Sequence, residues 1–384
     1  MVSSQIDRMV KPLNLGLPMA LHPNSTFLFT HLGASSMPTR PYASDSGTLR
    51  TQDSGPRRQE GTMDYRSLSG TDLEVSRVVL GTMTFGSQVD DEVAVQMVDH
   101  ALAAGVSMFD TANAYNNGAS EEMLARALGD RRDRVLIATK VFNPMGDGPD
   151  DRGLSRAAIR KAIDGSLKRL GTDYIDLYYL HQPDANVPIE ETLDALNELV
   201  DAGKVRYLGL SNHSAWQMTE ALGLSSDRDW QPPRVSQQMY NLLARRVEDE
   251  YASCSAHFDF LDIVYNPLAG GLLTGKHKPG STPAEGTRFS MEMYRDRYWN
   301  EAQFDAVESL AAIAAGEGLS LIELSFRWLL SRPLVDCVIV GASSTEHLKT
   351  NLEACEGPAL DDDVAARCDE VWQRLKGAAP AYSR

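Results

Sequence analysis

Residues 106–115 read VSMFDTANAY: an apolar run from Val106 to Phe109 that breaks into Asp110 and Thr111 and then reaches Tyr115. The same shape recurs in VLIATK (135–140), which ends on Lys140, and in IDLYYLHQPD (175–184), which ends on His181. Short runs rich in apolar and β-branched residues are the sequence form of strands buried on both faces. Working outward, similar runs occupy residues 78–80, 207–210, 235–239, 261–265 and 337–340, and with 106–109, 135–139 and 175–180 they make eight. Between them lie longer segments with apolar residues three and four apart, at 91–104, 154–170, 189–202 and 301–316, the spacing of helices that bury one face. Strands that alternate with helices pair in parallel and carry the helices outside, and eight such units close. The expected fold is therefore an α/β (β/α)8 TIM barrel rather than a doubly wound sheet. A long loop after the seventh strand (276–299) lies over the barrel mouth, and a helix ends the chain.

Composition narrows the partners. With 384 residues the chain is long enough for one large barrel domain. A formal net charge of -16 and a pI near 4.9 argue against a nucleic-acid partner or an anionic membrane surface. No apolar stretch approaches the ~20 residues of a membrane-spanning helix. Cys254, Cys337, Cys355 and Cys368 form no CxxC pair, which argues against a disulfide framework or a zinc knuckle and for a reducing, cytoplasmic setting. Residues 1–62 differ from the rest: rich in Ser, Thr, Pro and Arg, with six Lys/Arg against four Asp/Glu and no sustained periodicity. They read as a disordered extension, or as sequence upstream of a start at Met63, with a mitochondrial leader as the alternative. Residues 63–384 are then the barrel domain.

Several motifs fail on inspection. GGLLTGK (270–276) imitates a phosphate-binding loop, yet His277 stands where a Ser or Thr should follow the lysine. Gly209-Leu210-Ser211 opens like a nucleophile elbow, but His213 replaces its closing glycine. No GxGxxG follows a predicted strand, which removes the Rossmann route to a dinucleotide. No histidine pair has zinc-ligand spacing, so no metal is expected.

What remains is the set Asp110, Tyr115, Lys140 and His181. Barrels of this kind collect their chemistry at the carboxyl ends of their strands, where these residues fall on the second, third and fourth. A lysine inside a barrel requires a counter-ion, and Asp110 on the preceding strand is the natural one. A paired Lys140 near Tyr115 favours the phenolate, which lowers the tyrosine pKa from ~10 toward working pH and equips Tyr115 as a general acid. His181 orients the same substrate oxygen.

FDTANAY, the strand ending on Lys140, LHQPD (180–184) and RYLGLSN (206–212), in this order and spacing, resemble the signatures of the aldo-keto reductases from about Met63 to Arg384. Within that family QMYNLLAR (238–245), VYNPLAGGLLTGK (264–276), MYRDRYWNEAQF (293–304) and the terminal AYSR are most similar to the aflatoxin-aldehyde and succinic semialdehyde reductase branch. The resemblance implies NADPH-dependent reduction of aldehydes or dicarbonyls to alcohols, with NADPH lying across the barrel mouth and Asp110, Tyr115, Lys140 and His181 as the catalytic set. It implies that Ser211, Asn212 and Gln237 hold the nicotinamide carboxamide and that Tyr240 stacks under the ring. It implies that Asn266, Pro267, Leu268, Gly270 and Leu272 follow the pyrophosphate. It implies that Gly341, Ser343, His347 and Asn351, with Arg288, clasp the adenosine phosphate, although His347 stands where the family usually has Gln, and that Arg297 and Arg384 meet a substrate carboxylate. A homodimer is implied by the branch alone. The same quartet serves keto-sugar and polyketide reductases, and the potassium-channel β subunits, which bind NADPH with little turnover, resemble the chain as well.

Overall fold

The computed structural model describes residues 63–378; the leader-like stretch 1–62 and the terminal Arg384 lie outside the described residues. Strands β1 (Tyr65–Ser67) and β2 (Glu74–Ser76) pair as an antiparallel hairpin. Strands β3 (Val78–Gly81), β4 (Met108–Asp110), β5 (Leu136–Val141), β6 (Ile175–Leu180), β7 (Val205–Ser211), β8 (Val235–Met239), β9 (Leu261–Tyr265) and β10 (Cys337–Gly341) follow. These eight form a closed parallel barrel in chain order, with β10 pairing β3 to complete the ring. This is the expected (β/α)8 barrel.

Alternation along each strand divides the apolar residues between two cores. One parity, including Val78, Leu80, Phe109, Ile137, Tyr178 and Leu180, packs outward against the helices. The other, including Val79, Met108, Ala138, Leu177, Tyr179, Val235 and Ile263, fills the barrel interior. Leu68, Leu73 and Val75 of the hairpin join the interior cluster, so the hairpin closes the amino-terminal end of the barrel. Tyr207 of β7 donates a hydrogen bond to Asp72 in the hairpin turn and holds this plug in place. The carboxyl ends are left as the open mouth.

Helix boundaries follow local chemistry. The helix Asp91–Ala103 begins where Asp90 accepts from the Val93 amide, and Arg156–Leu170 where Ser155 accepts from Ala158 and ends on Gly171 in the left-handed region. Three details differ from expectation. The second barrel strand starts at Met108 rather than Val106, because the Val106 amide closes the preceding helix by donating to Ala101. The insert 276–299 is not all loop: Glu292–Tyr298 is a helix anchored by buried Tyr294 and Tyr298. The hairpin was not anticipated, since three-residue strands carry too little periodicity to be read. The terminal helix is Asp362–Lys376. Among the described residues no single helix is long and apolar enough to cross a membrane.

Because Leu73 is almost fully buried against the barrel floor, Leu73→Ala should cost roughly 2–5 kcal/mol. The check is a lowered urea midpoint with an unchanged m-value; an unchanged midpoint would mean that the hairpin does not plug the barrel.

Candidate active site

The mouth holds one cavity of about 950 Å³, lined at one end by Tyr115, Asn143 and His181 and at the other by Arg288, Ser343 and His347. Parity explains what reaches it. Met108, Ala138, Tyr179 and Ile339 point into the barrel, so Asp110, Lys140, His181 and Gly341, two residues on, point inward at the mouth.

Lys140 is fully buried and forms the hub. Its Nζ donates to Asp110 Oδ1 at 2.5 Å, to the Thr111 carbonyl at 2.7 Å and to Tyr115 Oη at 3.5 Å. Asp110 Oδ2 accepts from Gln237 Nε2 at 2.8 Å. Tyr115 opens a short turn, Tyr115–Gly118, just beyond β4, and the His181 ring stands edge-on to it at 5.9 Å between centroids. The four predicted residues therefore meet. Behind them the hydroxyl of Ser120 bridges those of Thr82 and Thr111 at 2.9 and 3.0 Å, which fixes the strand end that supplies the Thr111 carbonyl. On the outward face, Thr139 donates to buried Glu121 at 2.6 Å, and Glu121 pairs with Arg169 at 2.7 Å.

The electrostatics correct one expectation. Burial raises the Tyr115 pKa above its ordinary value; Lys140 opposes the rise without reversing it, and Asp110 adds to it. Tyr115 is thus protonated in the resting site, the form that a proton donor requires, and its pKa is not lowered toward neutrality as the sequence reading expected. For Lys140, burial favours the neutral amine, but Asp110 and Tyr115 outweigh it and the pKa is raised. Burial, helped by the Lys140 charge, lowers His181 to about 3, so its imidazole is neutral at physiological pH.

Of the residues predicted to hold a cofactor, Ser211, Asn212, Gln237, Asn266, Pro267, Leu268, Gly270, Arg288, Gly341, Ser343, His347 and Asn351 all line the cavity. Asn212 and Asn266 adopt left-handed backbone angles (φ 61° and 63°) at the ends of β7 and β9. Asn212 donates to the His181 carbonyl at 2.8 Å, and Asn266 Oδ1 accepts the Gly270 amide at 2.7 Å. Gly270 has φ 70°, and a Cβ there would come within 2.7 Å of the Tyr294 ring, so the imitation phosphate loop is a tight glycine turn.

Two of the assigned residues, Tyr240 and Leu272, do not line the cavity. Tyr240 is buried outside the cavity, packed on Trp328 and hydrogen-bonded to Glu248. Leu272 is fully buried in the core around the helices. Tyr265, by contrast, lines the cavity, and its hydroxyl donates to Asn212 at 2.8 Å. Parity was the available signal: Gln237 points inward, so Tyr240, three residues on, points away, whereas Ile263 points inward and Tyr265 shares its side.

At the far end the helix Thr345–Glu356 starts on Ser344, which accepts from the His347 amide at 3.2 Å, while Ser343 Oγ lies 3.1 Å from His347 Nδ1. Arg288 lies against Gly341, where a Cβ would come within 3.2 Å of its Nη2. This pairing of a helix N-terminus with a guanidinium suits a phosphate. Arg297 lines the near end with its Nη1 3.8 Å from Met239 Sδ. Arg295 instead braces the insert through the Phe289 and Ser290 carbonyls.

The sequence profile of the aldo/keto reductase family matches residues 77–373. The chain is 38% identical over 329 residues to a probable voltage-gated potassium channel subunit beta of Oryza sativa subsp. japonica, covering 83% of this chain and 100% of that protein. It is 38% identical over 325 residues to aflatoxin B1 aldehyde reductase member 2 of Homo sapiens, covering 80% of this chain and 89% of that protein. It is 36% identical over 325 residues to aldo-keto reductase family 7 member A3 of Homo sapiens, covering 80% and 96%.

Buried His181 and His213 are lowered to about 3 and about 4 from an ordinary 6.5. Below pH 6.5 the unfolded chain takes up protons at these two positions that the folded one refuses, so their contribution to stability is full above that pH and falls as the pH drops. Between pH 7 and pH 5 the urea midpoint of wild type should fall relative to that of His181→Asn; equal slopes in the two proteins would contradict a neutral buried His181.

Proposed function

The chain belongs to the aldo/keto reductase family and is an oxidoreductase acting on carbonyl groups; from that premise we propose that it reduces aldehydes or dicarbonyls to alcohols with NADPH, Tyr115 giving the proton. The reading rests on one observation: an unbroken hydrogen-bonded line from Gln237 through Asp110 and Lys140 to Tyr115 at the cavity floor.

The family uses NAD(P)H, and the cavity suits a nicotinamide dinucleotide. Ser211, Asn212 and Gln237 would hold the carboxamide, with Tyr265 as the aromatic platform. Arg288, Ser343 and His347 would hold the adenosine phosphate at the helix N-terminus, and the cationic Arg288 favours NADPH over NADH. When bound, the reduced nicotinamide supplies a hydride to the carbonyl carbon. As the oxygen gains charge, the Tyr115 hydroxyl donates its proton to it. The phenolate left behind faces the Lys140 ammonium 3.5 Å away, and Asp110 keeps that ammonium in place. Neutral His181 donates a hydrogen bond to the same oxygen and orients it.

Arg297 gives the substrate end a cation, so we place a carboxylate-bearing aldehyde such as succinic semialdehyde among the preferred substrates. Arg384, the second arginine expected there, is outside the described residues. A regulatory NADPH-binding subunit with little turnover is the competing reading, because relatives in two plants carry the potassium-channel subunit name. Keto-sugar or polyketide reduction is separated by substrate profiling.

Tyr115→Phe should lower kcat by about 10²–10⁴-fold while NADPH fluorescence quenching is retained; persistent turnover would show the acid to be another group. Wild-type enzyme that fails to oxidise NADPH with any good aldehyde would favour the regulatory reading. Arg297→Ala should raise KM for succinic semialdehyde by at least about tenfold relative to a neutral aldehyde, and an unchanged KM ratio would remove Arg297 from substrate choice.

A further inference from the structure

We propose that Asn143 sets the tautomer of His181, so that the imidazole presents Nε2–H to the carbonyl oxygen of the substrate. Asn143 is on this account a positioning residue, and the inference rests on the carbonyl-reduction reading of the site. Asn143 follows β5 and lines the cavity beside His181, with its Nδ2 3.2 Å from His181 Nδ1. Among the described residues no other group hydrogen-bonds the His181 ring, and Nε2 is left facing the cavity.

The alternative rotations of the histidine are restrained. Its backbone amide donates to the Val141 carbonyl at 2.9 Å, its carbonyl accepts from Asn212 at 2.8 Å, and the Tyr115 ring stands against it at an interplanar angle of 76°. The backbone on either side of Asn143 is held as well. The Gly153 amide donates to the Phe142 carbonyl at 2.7 Å and the Met145 amide to the Asp151 carbonyl at 2.9 Å, so the loop is clamped on both sides of it. Asp184 accepts from the Leu154 amide at 3.0 Å and thereby ties this loop to the one carrying His181.

The titratable groups facing His181 are Tyr115 and Lys140; burial, helped by the Lys140 charge, keeps the ring neutral. A neutral imidazole has a single N–H. An amide N–H can only donate, so the nitrogen it meets must carry the lone pair; the proton is then on Nε2. Were it on Nδ1, two donors would confront each other and Nε2 would offer a lone pair to the substrate oxygen, which would repel it. The tautomer therefore decides whether His181 assists or obstructs the transfer from Tyr115.

Asn143→Asp separates this role from a merely structural one, because a carboxylate of the same shape only accepts and so demands Nδ1–H. Ring-¹⁵N histidine spectra of the full-length enzyme, with His181→Asn used for assignment, report the tautomer without turnover. Wild type should show neutral His181 protonated on Nε2. Asn143→Asp should show the proton on Nδ1, a higher pH for imidazolium formation, and a kcat lower by about 10- to 100-fold with an unchanged Kd for NADPH. Asn143→Ala should show mixed tautomers and a smaller loss. Wild-type His181 protonated on Nδ1, or Asn143→Asp matching Asn143→Ala in both tautomer and kcat, would overturn the proposal. Failure of the reduction reading itself would appear elsewhere, as wild-type enzyme that does not oxidise NADPH with any good aldehyde, and would leave the spectra standing.

Discussion

The ion pair between Lys140 and Asp110 is the constraint around which the barrel mouth is organised. Both groups are buried, and a lone charge there would be destabilising by about 3–5 kcal/mol. The pair is affordable only because every other position around it is filled: the Thr111 carbonyl takes a second Lys140 proton, and Gln237 satisfies the second Asp110 oxygen. Those partners come from the turn after β4 and from β8, so the charge pair draws together neighbouring and more distant strands of the ring. The hydroxyl bridge through Ser120 and the Thr139–Glu121–Arg169 chain extend the same restraint outward into the helix layer. The alternation of β5 separates their tasks: Lys140 faces the cavity while Thr139 faces the helices.

Around that pair, burial acts in opposite senses on two neutral groups. It raises the pKa of the Tyr115 phenol, whose charged form is the anion, and lowers that of the His181 imidazole, whose charged form is the cation. Both side chains therefore enter as neutral donors beside a fixed ammonium. In the reading proposed above, negative charge then appears only during the reaction, first on the substrate oxygen and then on Tyr115, and each time within reach of Lys140. A phenol already ionised at rest, as a strongly lowered pKa would produce, has no proton to give. The corrected direction for Tyr115 consequently fits reduction better than the one that the sequence suggested.

Most of this was legible in the sequence because the barrel repeats one rule. Ile175–Leu180, Val235–Met239 and Leu261–Tyr265 coincide with the apolar runs that predict them, since a strand buried on both faces leaves an uninterrupted apolar signature. Asp110, Lys140 and His181 stand out at strand ends, and Tyr115 joins them through the turn beyond β4 and the family resemblance. What was missed lacks such a signature. The β1–β2 hairpin is too short for a period to emerge, and the helix Glu292–Tyr298 sits in a segment whose glycines, prolines and arginines mask its two buried tyrosines. Tyr240 differs in kind: the family resemblance points to it, but it stands three residues beyond inward-facing Gln237 and so turns away from the mouth, whereas Tyr265 shares the inward side of Ile263.

The insert after β9 links the two ends of the cavity physically. Arg288 and Arg297 both belong to it; the first lies against Gly341 and the second beside Met239. Between them Arg295 donates to the carbonyls of Phe289 and Ser290, and the rings of Phe289, His277 and Trp299 meet edge-on and tilted in one cluster, so the segment is braced by its own contacts. Gln88, on the loop after β3, donates to the Gly286 carbonyl and fastens that segment across the mouth. Two of the groups proposed above for the cofactor phosphate and the substrate carboxylate, Arg288 and Arg297, are thus carried on one insert, while Ser343 and His347 come from the end of β10 and the helix after it. In the reading proposed above, the strand ends supply a chemistry shared by any carbonyl substrate, and the insert brings Arg297 to the substrate end.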